Sequence, residues 1–136
     1  AFQGGVSGNA GLFTNANDMA KLLQLYLNLG TYGGERFLST ETCRLFTQSK
    51  CPTSRRGLGF DKPAVGDPDN SPCGRLAPAS VYGHTGYTGT CFWIDPENKL
   101  IYIFLSNRVN PTRMNGRLSS LDIRTRIQDA IYKAIE

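Results

Sequence analysis

Two apolar segments, GTCFWID at 89–95 and LIYIFLSNRV at 100–109, determine what kind of core this chain can build. Both are rich in aromatic and β-branched residues, and PENK between them supplies turn residues, so the pair predicts a β-hairpin. The second segment is apolar at consecutive positions instead of alternating. Both faces of that strand must therefore be covered by other parts of the chain.

The segment from Asn15 to Leu29 predicts an amphipathic helix. Thr14 or Asn15 can cap its first turn, and Gly30 supplies the left-handed residue that ends it. The residues that share its apolar face, at intervals of three and four, are Met19, Leu22, Leu23, Tyr26 and Leu27.

Two more helices are expected. One begins at 39 or 40 and runs to about 48, with Leu45 and Phe46 on its apolar face. The other closes the chain from about Leu118 to Ile135. The residues expected on the inner face of the closing helix are Leu121, Arg124, Ile127, Ile131 and Ile135.

The middle of the chain combines a short strand with a long loop. RRGLGFDKP at 55–63 predicts a strand that Pro63 stops. Prolines and glycines recur through 62–80, which is therefore expected to be a long irregular loop. With 136 residues, 40% of them apolar, the chain can bury one core. We predict a single α+β domain over residues 1–136, with an antiparallel sheet of three to four strands flanked by helices.

The net charge of +4 does not indicate a nucleic-acid-binding protein, because the basic residues are spread along the chain and no basic run alternates with aromatics. The longest apolar run, Leu100 to Leu105, is far shorter than the roughly 20 residues that cross a bilayer. The first residues lack the basic and apolar regions of a signal peptide. A start inside a glycine-rich loop suggests a piece of a longer protein. We expect no nucleic-acid partner, no membrane span and no signal peptide in this chain.

The four cysteines, at 43, 51, 73 and 91, leave their oxidation state open. No C-x-x-C pair supplies adjacent thiolates, so a zinc site is not predicted. An oxidising compartment would allow three pairings, of which Cys51 with Cys73 would close the long loop. Four free buried thiols agree with the sequence at least as well.

No nucleophile with a neighbouring base stands out, since neither G-x-S-x-G nor S-x-x-K occurs. One histidine and scattered acids do not form a metal site, and we predict neither a metal nor a cofactor. Carboxylates that could be paired for glycoside chemistry, though no spacing singles out two, are Asp61, Asp67, Asp69 and Asp95.

The stretch GHTGYTGT at 83–90 is the strongest candidate for function. Glycines at 83, 86 and 89 leave space where another backbone comes near, while His84 and Thr85 present an imidazole and a hydroxyl. Such a strand edge can pair with an extended substrate and direct amide N–H groups at a carbonyl oxygen. A glycine-rich strand entry with a solvated histidine is the alternative.

H-T-G at 84–86 resembles the K-T-G motif of the serine β-lactamase and penicillin-binding-protein superfamily, in the variant with histidine for lysine. The class C type and its esterase and peptidase relatives are the most similar. The resemblance continues through the glycine-rich loop, helix, turn and helix at 8–46, through RRGLGF at 55–60, and through the two strands that end in Asn-Arg-Val. These segments occur in the same order as in the family. The chain is therefore similar to the C-terminal part of such a hydrolase.

The resemblance implies roles for four residues. His84 and Thr85 would contact the carboxylate or polar group of a small-molecule or peptide acyl substrate, and Gly86 would leave room for the acyl chain. The backbone N–H of Tyr87 would be the second oxyanion donor, the first belonging to the catalytic serine. The S-x-x-K helix and the Y-x-N loop lie upstream in the family, so an N-terminal segment missing here would supply both.

The implied function is a share of acyl-enzyme hydrolysis of an ester, amide or β-lactam, with this chain alone inactive. Histidine at 84 is only partly protonated near neutrality, and Asn9 stands where relatives often have histidine. Both departures favour an esterase, a D-amino-acid peptidase, or a poorly active homologue fused to another enzyme over efficient β-lactam hydrolysis. The implied location is periplasmic or extracytoplasmic, in a bacterium.

Two non-catalytic alternatives use the same fold. One is a peptide-binding module that captures its ligand along the open strand. The other is an assembly module. In the family the last strand pairs with an N-terminal strand, so the edge at Leu100 to Asn107 would be unpaired and apolar here, and we expect self-association through it.

Overall fold

The computed structural model describes residues 4–5, 7 and 10–135, and its first helix begins at the predicted cap. Helix α1 spans Ala16–Leu27, and the side chain of Asn15 accepts a 3.0 Å hydrogen bond from the amide of Asp18. Gly30 follows with φ +95°. The N-terminal cap is therefore confirmed, whereas the helix ends before Leu29, and Leu29 itself, with φ +52°, is the left-handed residue after the C-cap Asn28. Asn9, which the sequence singled out, lies outside the described residues.

The other elements follow in chain order. Strands β1 (Thr31–Tyr32) and β2 (Glu35–Arg36) form a small hairpin, and helix α2 spans Thr40–Thr47. The later strands are β3 (Tyr82–Thr85), β4 (Cys91–Asp95) and β5 (Leu100–Phe104). The last helices are α3 (Arg117–Ser120) and α4 (Ile123–Ile135). Among the described residues, none of the helices has both the length and the apolar character needed to cross a membrane.

Strands β3, β4 and β5 form an antiparallel sheet in that order. Gly83 lies opposite Trp93, and Trp93 lies opposite Tyr102 on the third strand. The predicted hairpin is formed, with strands shorter than 89–95 and 100–109. The α+β class and the antiparallel sheet are confirmed.

The sheet separates two apolar cores, because side chains alternate between its faces. One face, with Ile131 of α4 packed against it, buries Cys73, Val81, Cys91, Trp93 and Tyr102. Helix α1 packs against the other face through Leu23. The residues buried there are Leu23, Phe60, Tyr82 and Ile94. Both faces of the sheet are therefore covered, as the consecutive apolar residues of β5 require.

The predicted apolar face of α2 is wrong. Leu45 and Phe46 are 43% and 42% exposed, whereas Cys43 and Thr47 are buried. The hydroxyl of Thr47 donates a 2.9 Å hydrogen bond to the carbonyl of Cys43, which satisfies the buried polar atom within the helix. Apolar character alone does not identify the buried face of so short a helix.

The predicted closing helix is divided in two. Asp122, with φ +50°, lies between α3 and α4. The buried side chains of α4 are Gln128, which accepts a hydrogen bond from the amide of Gly74, and Tyr132, which donates one to Asp95. Residues of the predicted inner face that are exposed are Leu121, Ile127 and Ile135.

The strand predicted at 55–63 is not formed. Its only described β-pairing is an isolated antiparallel bridge between Asp61 and Gly83. The segment 62–80 contains one turn of 3₁₀ helix, Pro68–Asn70. The bridge therefore pairs the backbone just before the long connection with the sheet residue immediately before H-T-G.

Candidate functional site

Strand β3 has one paired edge and one edge that is mostly open. It pairs with β4 along its whole length, from Tyr82 to Thr85. On the other edge, Asp61 and Gly83 exchange two backbone hydrogen bonds of 2.7 and 3.0 Å. No strand within the described ranges pairs with that edge beyond Gly83. Alternation of backbone groups places the N–H of Thr85 on the same open side.

A three-residue turn after β3 presents the amide of Tyr87. The Gly86 N–H donates a 2.8 Å hydrogen bond to Thr90, and the Gly89 N–H donates a 3.0 Å bond to Gly86. Gly89 has φ +95°, so the loop has the pattern of a type I turn closed by a left-handed glycine. Tyr87 is the first of the two central residues of this turn, and no described residue accepts a hydrogen bond from its N–H. The Gly86 carbonyl accepts the bond from Gly89 within the turn, and the N–H of Tyr87 points the opposite way across the trans Gly86–Tyr87 peptide, away from β4 and toward the open edge.

His84 and Thr85 are half-buried beside this edge. The Nδ1 of His84 lies 2.7 Å from the carbonyl oxygen of Thr85. Because a carbonyl can only accept, Nδ1 carries the proton, which leaves Nε2 as the free ring nitrogen. The Thr85 hydroxyl has no hydrogen-bond partner among the described residues and remains available to a ligand.

The glycines of the motif are packed against atoms of the chain itself. A Cβ at Gly83 would clash with the carbonyl oxygen of Phe92, and one at Gly86 would clash with the hydroxyl of Thr90. The close approach expected at these glycines is therefore made by the neighbouring strand and the turn. Any space for an acyl chain at Gly86 lies on another side of the backbone.

Asp61 holds the segment that bridges to β3. Its carboxylate is buried, with 2% of the residue exposed, and accepts hydrogen bonds from Nε and Nη2 of Arg55 at 2.7 and 3.0 Å. Arg56 lies 3.2 Å from the same carboxylate. A bidentate arginine is the strong form of such a pair and fixes its geometry. Sequence reasoning placed Asp61 among possible catalytic acids, but these contacts favour a structural role.

The other three aspartates also have structural partners. Asp67 accepts hydrogen bonds from Asn70, and Asp69 forms an ion pair with Arg75. Asp95 accepts the hydroxyl of Tyr132 at 2.9 Å together with two amides of the β4–β5 turn. These partners account for the four carboxylates without an acid–base role.

All four thiols are free; Cys43, Cys73 and Cys91 are buried, and Cys51 is exposed. The sequence left disulfides and free buried thiols both open; the structure has free thiols, one of which is exposed. Burial raises the pKa of Cys91 to about 11 and raises that of Cys73 further, which keeps both protonated at neutral pH. Within the described ranges, no three His, Cys, Asp or Glu side chains are grouped to hold a metal ion.

A surface cavity of about 670 Å³ lies apart from the H-T-G residues. Its described lining comes from residues 49–55, 62, 63, 65 and 79, and includes none of residues 84–87. The described lining of this cavity therefore does not include the open edge of β3 at the H-T-G residues.

The letters Y-x-N occur at 26–28, where Tyr26 belongs to α1. Its ring packs edge-on against Phe60, with 5.1 Å between ring centroids. Burial raises the pKa of its phenol. Tyr26 is therefore part of a core and does not face the open edge.

Sequence reasoning did not identify Arg108, whose guanidinium lies 4.8 Å from the centroid of the Tyr87 ring. The one sequence feature that draws attention to Arg108 is its place in Asn-Arg-Val at 107–109, the last part of the resemblance to the family. Nothing in that stretch predicts a contact with a residue 21 positions earlier.

Known proteins with similar sequences share this region. A family model described as Beta-lactamase matches residues 1–124. A protein of Escherichia coli (strain K12) named "Putative D-alanyl-D-alanine carboxypeptidase" is 44% identical over 106 residues, which are 77% of this chain and 24% of that protein. A protein of the same name from Salmonella typhi is 39% identical over 117 residues, 85% of this chain and 27% of that protein.

A solved structure described as a "putative beta-lactamase" from Bacteroides dorei DSM 17855 has the same fold over 88% of this chain and 44% of that chain. The TM-score is 0.51 and the sequences are 17% identical. The chain spans about a quarter of the length of the curated relatives it matches.

Proposed function

Because this chain belongs to the β-lactamase family, whose model matches residues 1–124, we propose that it forms the C-terminal part of a serine hydrolase that works through an acyl-enzyme. The observation that carries the proposal is the amide of Tyr87, which faces the unpaired edge of β3 and has no described acceptor. An amide held in this way is the donor that an oxyanion requires.

The catalytic serine would come from sequence outside these 136 residues, in which no S-x-x-K occurs. Its Oγ gives its proton to a base from the same outside sequence, such as the lysine of S-x-x-K, and attacks the substrate carbonyl carbon. The C–O bond forms while the carbonyl π electrons move to oxygen, and the base later returns its proton to the leaving group. That oxygen accepts hydrogen bonds from the N–H of Tyr87 and from the serine's own N–H. Collapse expels the leaving group with a proton, and water then hydrolyses the acyl-serine.

His84 and Thr85 would bind the substrate beside the reacting carbonyl. The free Nε2 of His84, when protonated, and the hydroxyl of Thr85 can both donate to a carboxylate. The relatives are named for D-alanyl-D-alanine, whose terminal carboxylate matches these donors. We therefore place the substrate among peptides that end in a D-amino acid, with simple esters as slower substrates, and the enzyme outside the cytoplasm.

The proposal is tested on the longest natural polypeptide that contains this chain. We expect its sequence upstream of Ala1 to hold S-x-x-K followed by Y-x-N, and its serine to be acylated by a labelled penicillin or a chromogenic ester, as detected by intact mass. It should release D-alanine from a D-alanyl-D-alanine peptide. The 136-residue chain alone should turn over none of these above buffer.

Two results would contradict the proposal: turnover by the 136-residue chain alone, or failure of the longer polypeptide to form a covalent adduct at the serine. A variant of the longer polypeptide with that serine replaced by alanine is the control. It should bind substrate without hydrolysing it.

The free edge of β5 supports a second proposal, an assembly role for this part of the chain. Within the described sheet, β5 pairs only with β4. Counting the alternation of backbone groups outward from the Gly86–Thr90 bond places the N–H groups of Ile101 and Ile103 on the outer edge. An apolar strand with unpaired backbone groups readily accepts another strand. We propose that β5 pairs with a second copy when this chain is isolated.

Sedimentation at increasing concentration should therefore detect a dimer or larger species of the 136-residue chain. Ile103→Pro removes one outward N–H without a ladder bond to β4, so it should weaken association. Ile103→Ala, which loses the same side chain and keeps the N–H, should associate more strongly than the proline variant. A monomer at all concentrations would contradict this proposal.

A further inference from the structure

The turn that carries Tyr87 is held by a residue from a distant part of the chain. Arg108 follows β5, and its Nε donates a 2.8 Å hydrogen bond to the carbonyl of Tyr87. Its guanidinium carbon lies over the Tyr87 ring, 4.8 Å from the centroid. Arg108 therefore contacts both the carbonyl and the ring of the residue whose N–H faces the open edge.

These two contacts require a planar guanidinium. The same group stacks on an aromatic face and donates in its own plane, whereas a lysine ammonium is a point charge that cannot do both with fixed geometry. The Tyr87 side chain has little else to hold it, since the residue is 69% exposed. Arg108 is thus the described residue that fixes the Tyr87 side chain.

The backbone next to Tyr87 is also tied to the segment after β5. The amide of Arg108 donates a 2.9 Å hydrogen bond to the carbonyl of Thr88, and the Ser106 hydroxyl donates a 3.2 Å bond to the same oxygen. These bonds fix the second central residue of the turn. With the carbonyl, ring and following residue of Tyr87 all held, its N–H is the polar backbone group left to face the edge.

We propose that Arg108 is a positioning residue for the reaction, which fixes the Tyr87 amide at the place where the oxyanion forms. This inference rests on the proposed function. Arg108 touches neither substrate nor serine and acts through Tyr87. A displacement of about 1 Å in such a donor can cost about a hundredfold in rate.

The test compares Arg108→Gln with Arg117→Gln in the longest natural polypeptide that contains this chain. Arg117 is exposed and loses the same charge, so it is a matched control. We expect Arg108→Gln to lower kcat by about tenfold to a hundredfold with KM within about twofold, because the amide acts in the transition state. Arg108→Lys should recover only part of the lost rate, and Arg117→Gln should match the wild type.

A double mutant separates positioning from a general structural effect. In a Tyr87→Pro background the amide is absent, so Arg108→Gln should cost no further rate. An equal loss in both backgrounds, or a kcat for Arg108→Gln within twofold of the wild type, would overturn the inference while the function stands. A wild type that never acylates its serine would instead overturn the proposed function. If the melting temperature of Arg108→Gln is below that of Arg117→Gln, Arg108→Lys is compared with Arg117→Gln in its place, in both backgrounds.

Discussion

Replacing Tyr87 by proline is expected to lower the acylation rate of the full-length hydrolase by about a hundredfold to a thousandfold, the usual effect of losing one oxyanion donor. Proline lacks the backbone N–H that we assign to this role. It suits the position, because Tyr87 is the first central residue of a turn closed by the 3.0 Å bond between Gly89 and Gly86. Proline is favoured there in type I turns. The turn should therefore persist without its donor.

Tyr87→Ala is the matched control for this experiment. It loses the same ring, and with it the stacking of Arg108, but keeps the N–H. We measure single-turnover acylation with a chromogenic ester. The fold-decrease in the acylation rate of Tyr87→Ala should be less than about a tenth of the fold-decrease for Tyr87→Pro. Both variants should melt within a few degrees of each other. Equal rates for the two variants would show that the amide does not serve the reaction.

The residues that could be predicted from the sequence are those whose neighbours are close in the chain. Asn15 caps α1 because its acceptor reaches Asp18, three residues later. The strands β4 and β5 were predictable from their aromatic and β-branched residues and from the turn between them. Local chemistry decides such elements before the rest of the chain packs.

The buried polar residues could not be predicted, because their partners come from distant segments. Gln128 accepts a hydrogen bond from Gly74, 54 residues earlier, and Tyr132 donates to Asp95. These bonds place a polar face of α4 inside the protein, where apolar periodicity predicted Ile127. Burial of a polar group depends on a partner that the helix itself does not contain.

The candidate site shows the same division. H-T-G could be selected from its residue types, and its resemblance to K-T-G assigned roles to His84, Thr85 and Tyr87. The direction of the Tyr87 amide depends on the hydrogen bonds that Gly86 makes with Thr90 and Gly89, and these form only once β3 pairs with β4. The contact from Arg108 to Tyr87 joins the residues just before β4 and just after β5, the two ends of the β4–β5 hairpin. No spacing of residue types in the sequence predicts it.

Gly83→Ala is expected to destabilise the protein by about 3 kcal/mol or more, at the upper end for an overpacked core. The added methyl would clash with the carbonyl oxygen of Phe92 and would lie 2.6 Å from Cε3 of Trp93. Neither neighbour can withdraw easily. Phe92 belongs to the strand paired with β3, and Trp93 is 2% exposed. Denaturant unfolding, monitored by tryptophan fluorescence, measures the loss directly because Trp93 is the single tryptophan.

Gly116→Ala is the control, because a Cβ there meets nothing within 4 Å and its φ of −92° suits any residue. We expect its free energy of unfolding to stay within about 1 kcal/mol of the wild type, since the lower entropy of the unfolded chain offsets a slightly poorer helix cap. A Gly83→Ala protein as stable as this control would mean that β3 does not pack closely on β4. The edge that directs Tyr87 toward a substrate would then lose its support, because the pairing at Gly83 and the amide at Tyr87 lie on one strand and its turn.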